Sequence, residues 1–190
     1  MGRRILIKGG CGAGKTTLAR QLAAHLRLPH VELDALHHGP NWRAASASEL
    51  RAALEATLDD EQGWVVDGNY DSKLGSLALD RAELIVWLDL PLQLKLVRLV
   101  RRTSRRLLDK QALWNGNRES LRGVVWGREA LFAWALRTHF RQRRDWPAQF
   151  SGRPLLRLRS AQEVESWRAE FCAASAQVPV SAKSGEGLKP

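Results

Sequence analysis

The chain has little cysteine and no long hydrophobic run. Cys11 and Cys172 are the two cysteines in 190 residues and lie far apart. They offer neither a disulfide framework nor metal-ligand spacing, which fits a reducing, cytoplasmic setting. Cys11 reads as a small residue suited to a tight turn, ahead of a redox role. No stretch approaches the roughly 20 apolar residues of a membrane-spanning helix, so no membrane partner is expected. The charged start Met1-Gly2-Arg3-Arg4 runs directly into an apolar strand, so export is not expected. Internal repeats and recognised nucleic-acid-binding motifs are also missing. Acidic residues are in deficit, 20 against 30 Lys and Arg, a net charge of +10. That excess sits in one place: Arg98 to Arg144 holds twelve arginines and one lysine against Asp109, Glu119 and Glu129. A basic protein usually indicates nucleic acid or an anionic membrane. Confinement to one segment points as readily to arginines gathered around transferring phosphates.

What is present is glycine at a telling spacing. Gly9-Gly10-Cys11-Gly12-Ala13-Gly14-Lys15-Thr16 satisfies the pattern of glycine, four residues, then Gly-Lys-Ser/Thr, with Thr17 following. Arg4-Ile5-Leu6-Ile7 before it reads as a buried strand. Leu18, Leu22 and Leu26 after it recur every four residues, the stripe of an amphipathic helix. Strand, glycine loop and helix in that order aim backbone N–H groups and a helix N-terminus at one concavity, which stabilises a polyphosphate. ATP with Mg²⁺ is therefore expected, Lys15 reaching the β/γ-phosphates and the Thr16 hydroxyl reaching the Mg²⁺.

Further strands are expected at His30–Asp34, Trp64–Asp67, Leu84–Asp89 and Leu155–Leu158. Ser46 with Glu49 is a capping-box signature ahead of a helix striped by Leu50, Leu54 and Leu58. Pro91 opens a helix carrying Leu92, Leu96 and Leu99. Another runs from about Arg128 to Arg144, with Phe132, Leu136 and Phe140 in one row. Ser160 and Glu163 cap a last helix ending near Phe171, and residues 173–190 read as a disordered tail. Alternating apolar strands and helices predict one α/β domain over 1–172 with a parallel sheet, its ligands at the carboxyl ends of the strands.

The loop, the Val66-Asp67-Gly68-Asn69-Tyr70 strand end and Val86-Trp87-Leu88-Asp89-Leu90-Pro91 resemble adenylate-kinase-related P-loop kinases. Leu33-Asp34-Ala35-Leu36-His37 with Trp42, Asp67-Gly68-Asn69-Tyr70 and Leu113-Trp114-Asn115-Gly116-Asn117-Arg118-Glu119 are similar to the branch often labelled DNA topology modulation protein. The resemblance implies a P-loop NTPase three-layer sandwich, a five-stranded parallel sheet ordered 2-3-1-4-5, a helical acceptor-binding insertion and a lid at about 102–128. It also implies that Arg98 lies near adenine and Arg102 near the phosphates, with Arg137 and Arg141 as a transition-state clamp. An arginine so placed can contribute a rate factor of about 10³ to 10⁵.

Asp67 is the expected Mg²⁺-side carboxylate, with capping of the following turn as its alternative. Asp89 before Pro91 is read as turn chemistry. Asp34 decides the reaction: an alcohol acceptor wants a carboxylate for its proton, whereas a phosphate acceptor wants an arginine. True adenylate kinases carry an acceptor-phosphate arginine after the Asp-Gly pair; this chain has Asn69, Tyr70 and Asp71. The expectation is therefore phosphoryl transfer from Mg-ATP to a small, nucleoside-like acceptor. Two alternatives stand beside it. One is a nucleoside monophosphate kinase using Arg43 or Arg51. The other is a nucleic-acid-binding ATPase using 98–144, disfavoured by the missing motif. His37 and His38 read as turn-forming surface residues. Trp42 and Trp114 either stack on a ring or pack the insertion.

Overall fold

The computed structural model describes residues 3–109, 114–117 and 131–176. Most of the expected lid and tail, with Trp126 and Arg128, lie outside the described residues. Five strands form one parallel sheet: β1 (Arg4–Gly9), β2 (His30–Glu32), β3 (Trp64–Asp67), β4 (Leu84–Leu88) and β5 (Leu155–Leu158), ordered β2-β3-β1-β4-β5. Ile5 pairs with Val65 on one side and Leu84 on the other, so β1 lies at the centre. The order matches the expectation from resemblance. Order reverses at β1, and a ligand site is expected at the crevice this creates.

The continuous apolar strands follow from a sheet covered on both faces. Leu6, Val66, Ile85 and Trp87 pack towards one side, against α3 (Ala47–Thr57) and the end of α7 (Leu131–Gln149). Ile5, Ile7, Val65, Val86 and Leu88 pack towards the other, against α1 (Lys15–Leu26) and α8 (Ala161–Ala176). These are the three layers. Between them run α2 (Leu33–His37), α4 (Asp71–Leu74), α5 (Leu77–Arg81) and α6 (Leu92–Leu108), with single 3₁₀ turns at Pro40–Trp42 and Trp114–Gly116. Among the described residues no helix is long and apolar enough to cross a membrane.

The capping box of α3 forms as read. Ser46 accepts from the Glu49 amide and Glu49 accepts from the Ser46 amide. Leu50 and Leu54 behind it are fully buried. Ser46→Ala should cost about 1 kcal/mol in urea denaturation, the usual worth of an N-cap hydroxyl. No loss would mean that packing alone starts this helix.

Three expectations need correction, and one helix presents a face that its apolar row does not announce. β2 ends at Glu32, so Asp34 sits in the first turn of α2 rather than on a strand. β4 ends at Leu88, leaving Asp89 beyond it. The apolar row on α7 faces outwards, with Leu136 47% and Phe140 62% exposed. Its buried side is Ala135, Thr138, His139, Gln142 and Trp146, because the polar members find partners there: Thr138 bonds back to the Trp134 carbonyl and His139 accepts from Lys95. Finally, α8 continues to Ala176, so its last turn replaces the start of the expected tail.

Candidate active site

The loop between β1 and α1 can be built only with glycine at its crest. Gly12 has φ +76°, and a Cβ there would lie 2.3 Å from the Lys95 carbonyl oxygen at the start of α6. That close approach presses the loop into a cradle. Lys15, at the first position of α1, folds back towards the Gly10 carbonyl at 3.4 Å. Thr16 Oγ donates to Asp67 Oδ1 at 3.0 Å, with Glu32 Oε1 at 3.4 Å. Asp67 is wholly buried, and its other oxygen accepts from His30 Nε2 at 2.7 Å. A buried carboxylate beside the threonine hydroxyl suits a divalent ion that also rides on phosphates, since Mg²⁺ is typically held by one or two protein groups and keeps waters. Among the described residues no cluster of three His, Cys, Asp or Glu could hold a metal without such help.

The Asp-Gly-Asn-Tyr strand end assigns one task to each residue. Gly68 (φ +140°) passes so close to Leu33 that a Cβ would sit 2.7 Å away. The Asn69 amide donates to the Gly9 carbonyl at 2.6 Å and so ties this corner to the phosphate loop. Tyr70 Oη donates to Asp34 Oδ1 at 2.7 Å. Burial, reinforced by the Asp34 charge, pushes the Tyr70 phenol well above its ordinary range and keeps it a donor. Asp71 then pairs with the buried Lys8, whose ammonium burial pushes down.

A cleft of about 1150 Å³ joins these parts. Loop residues Cys11 to Thr17 line it together with Arg98 and Arg102 from α6, and so do Asp34, His37, His38, Trp42, Tyr70 and Trp114. Arg98 donates to the Ala13 carbonyl at 3.3 Å and lies 3.6 Å from the position of a Cβ on Gly14, so it leans on the loop itself. Arg137 and Arg141 are on the exposed side of α7 and do not line the cleft; the Arg141 guanidinium sits 6.0 Å from the Trp134 ring centre. His37 is buried rather than the surface residue expected, and His38 is half-buried. His37 is 8% exposed, and burial pushes both imidazoles below their ordinary range, so they are neutral at pH 7.

Sequence reasoning misread one group and missed two. Asp89, 3% exposed, is held by Arg143 from α7 (2.7 Å) and by two nitrogens of Arg157 from β5 (3.1 and 2.7 Å). An arginine clamp, rather than turn chemistry, holds this carboxylate. His30 was unmarked. So was Lys95, 3% exposed, whose ammonium donates to His139 Nδ1 at 2.7 Å behind Gly10. Lys95 lies on the helical stripe with Leu92, Leu96 and Leu99, which is the signal that could have found it.

Burial pushes the Lys95 ammonium down to about 8, with Asp89 opposing and Arg143 adding. Between pH 8 and its ordinary 10.5 the unfolded chain still holds a proton that the folded chain has released. Stability therefore rises with pH across that window. Wild-type stability relative to Lys95→Met, from urea denaturation, should rise between pH 8 and 10. A constant difference would show that Lys95 titrates as an exposed lysine.

Residues 5–66 match the family described as ATPase family associated with various cellular activities (AAA). Over 124 residues the chain is 28% identical to a cytidylate kinase from Haloquadratum walsbyi, covering 56% of this chain and 62% of that protein. The chain thus spans less than two thirds of that relative's length. Among solved structures it is similar to a gluconokinase from Sinorhizobium meliloti 1021, with a TM-score of 0.51, 18% identity and 91% of each chain covered. A deoxyadenosine kinase from M. mycoides with bound dATP aligns at a TM-score of 0.49 and 11% identity, over 92% of this chain and all of that one. The glycine loop, the sheet order and the gluconokinase likeness establish a P-loop NTPase fold.

Proposed function

We propose that this protein transfers the γ-phosphoryl group of Mg-ATP to a hydroxyl group of a small molecule. The supporting observation is one cleft lined both by a phosphate cradle, where Thr16 meets Asp67, and by a carboxylate, Asp34. Backbone amides of Gly9 to Gly14, with Lys15, Thr16 and Thr17, hold the triphosphate. Mg²⁺ held by Thr16, and through water by Asp67, would neutralise charge on the phosphates when bound. The acceptor oxygen attacks the γ-phosphorus as its proton passes to Asp34, and the bond to the β-bridging oxygen breaks with its electron pair leaving on ADP. Arg98 and Arg102 line the same cleft. The clamp role of Arg137 and Arg141 requires α7 to swing towards the cleft. The Asp-Gly-Asn-Tyr and Trp-Asn-Gly-Asn pieces, which both touch the surroundings of His38, support placement in the DNA topology modulation protein branch.

The cytidylate kinase likeness favours a second reading, a nucleoside monophosphate acceptor. Against it, Arg43 is paired with Glu49 at 2.6 Å and Arg51 donates to the Leu74 carbonyl at 2.8 Å. Both arginines proposed for an acceptor phosphate are thus engaged elsewhere. ADP release from Mg-ATP, measured against nucleosides, nucleoside monophosphates and hydroxylated metabolites, separates the two. Stimulation by an unphosphorylated alcohol is the expected result. Stimulation by nucleoside monophosphates alone would overturn it in favour of the second reading.

A further inference from the structure

The wall around Asp34 is aromatic, and two remote segments build it. His38 stacks on Trp114 (centroids 5.7 Å apart, planes at 23°) and meets Trp42 edge-on at 5.3 Å. His37 lies against Tyr70 at 4.6 Å. Trp114 is held there by its neighbours. Asn115 donates to the His38 carbonyl at 2.6 Å. Asn117, 5% exposed, donates to the Gly39 carbonyl and accepts from the Trp42 amide, both at 2.9 Å. The backbone at Asn41, Trp42 and Asn115 takes positive φ (55° to 60°) to make this joint. Left-handed backbone at three non-glycine residues is costly and marks a segment shaped for a task.

Two features of this wall point to its ligand. The buried Nδ1 atoms of His37 and His38 have no hydrogen-bond partner among the described residues, and both residues line the cleft. Unpartnered buried ring nitrogens are unfavourable unless a ligand meets them. Among the described residues, moreover, four cations around this wall are engaged within the protein: Lys8 with Asp71, Lys73 with the Ala45 carbonyl, Arg43 with Glu49 and Arg51 with the Leu74 carbonyl. Neutral imidazoles, tryptophan faces and one carboxylate disfavour a phosphate and favour a flat ring with polar edges.

We propose that this chamber takes the ring of an uncharged heteroaromatic alcohol, the chemistry of a nucleoside. The ring stacks on Trp114 and Trp42, its edge meets His37 and His38, and its hydroxyl faces Asp34. This rests on the kinase reading above and names its acceptor class. Trp114 sets acceptor affinity.

Thermal melts of the full chain with Mg-ATP, and with a non-hydrolysable ATP analogue plus nucleosides, nucleoside monophosphates or acyclic polyols, test it. A nucleoside should raise the wild-type Tm, and its affinity should fall roughly 5- to 100-fold in Trp114→Ala, the usual worth of one stacked base. Trp114→Phe, which keeps a ring and guards against simple misfolding, should recover most of it, and all three proteins should respond equally to Mg-ATP. Shifts by monophosphates or polyols only, no shift by any nucleoside, or full nucleoside affinity in a folded Trp114→Ala would each overturn the proposal. A missing Mg-ATP shift in wild type would sink the kinase reading beneath it.

Discussion

In a Lys15→Ala variant, phosphoryl transfer falls by about 10² to 10⁵-fold while the fold survives. Lys15 stands at the first position of α1 with its ammonium directed over the loop to Gly10. It is half-buried and carries no core packing, and alanine is the better helix former, so the strand–loop–helix unit should form unchanged. What the variant loses is a fixed cation beside charge that shifts during transfer. One preorganised electrostatic donor of this kind is typically worth about 10² to 10³ in rate, and a mobile arginine finger up to about 10⁵. Steady-state ADP release with a parallel circular-dichroism melt measures both quantities. Retained turnover in a folded variant would remove the phosphate-binding assignment.

Asp34→Asn is expected to lower transfer by about 10² to 10⁴, the range for a general base, while ATP binding stays at the wild-type level. The substitution is nearly isosteric, and the Asn carbonyl oxygen still accepts from Tyr70, so the α2–Tyr70 contact survives. Only the capacity to take a proton is lost. The informative readout is the split: kcat falls and ATP affinity does not. Unchanged kcat would return Asp34 to bracing Tyr70, and weakened ATP binding would show that α2 supports the loop.

These outcomes rest on parts of the molecule that the sequence reveals unequally. β1, β3 and β4 were legible because they are buried almost throughout, which leaves an apolar run; the edge strands β2 and β5 are only partly buried and carry a weaker pattern. The phosphate loop was legible because the fixed glycines of its pattern, Gly9 and Gly14, both take positive φ (155° and 93°), which favours one residue type. Asp34 was singled out for its residue type, but its conformation was not legible, since a three-residue β2 passes directly into a one-turn helix that no local pattern marks. The burial of His37 and His38 was hidden because Tyr70, Trp42 and Trp114 come from three other places in the chain. The same holds for Asp89, whose partners Arg143 and Arg157 are 54 and 68 residues away. On α7 the apolar pattern pointed outwards because Thr138, His139 and Gln142 are buried with hydrogen-bond partners or against the loop, a solution that hydrophobicity alone cannot signal.

The central claim is that the γ-phosphoryl group leaves ATP for an organic hydroxyl, and following that group tests it most directly. The protein would be incubated with γ-labelled ATP, Mg²⁺ and a panel of nucleosides and small alcohols, and the products separated. The account predicts label in a phosphate monoester of one alcohol, absent in Lys15→Ala and strongly reduced in Asp34→Asn. Label recovered only as inorganic phosphate, or only on a nucleoside diphosphate, would contradict it.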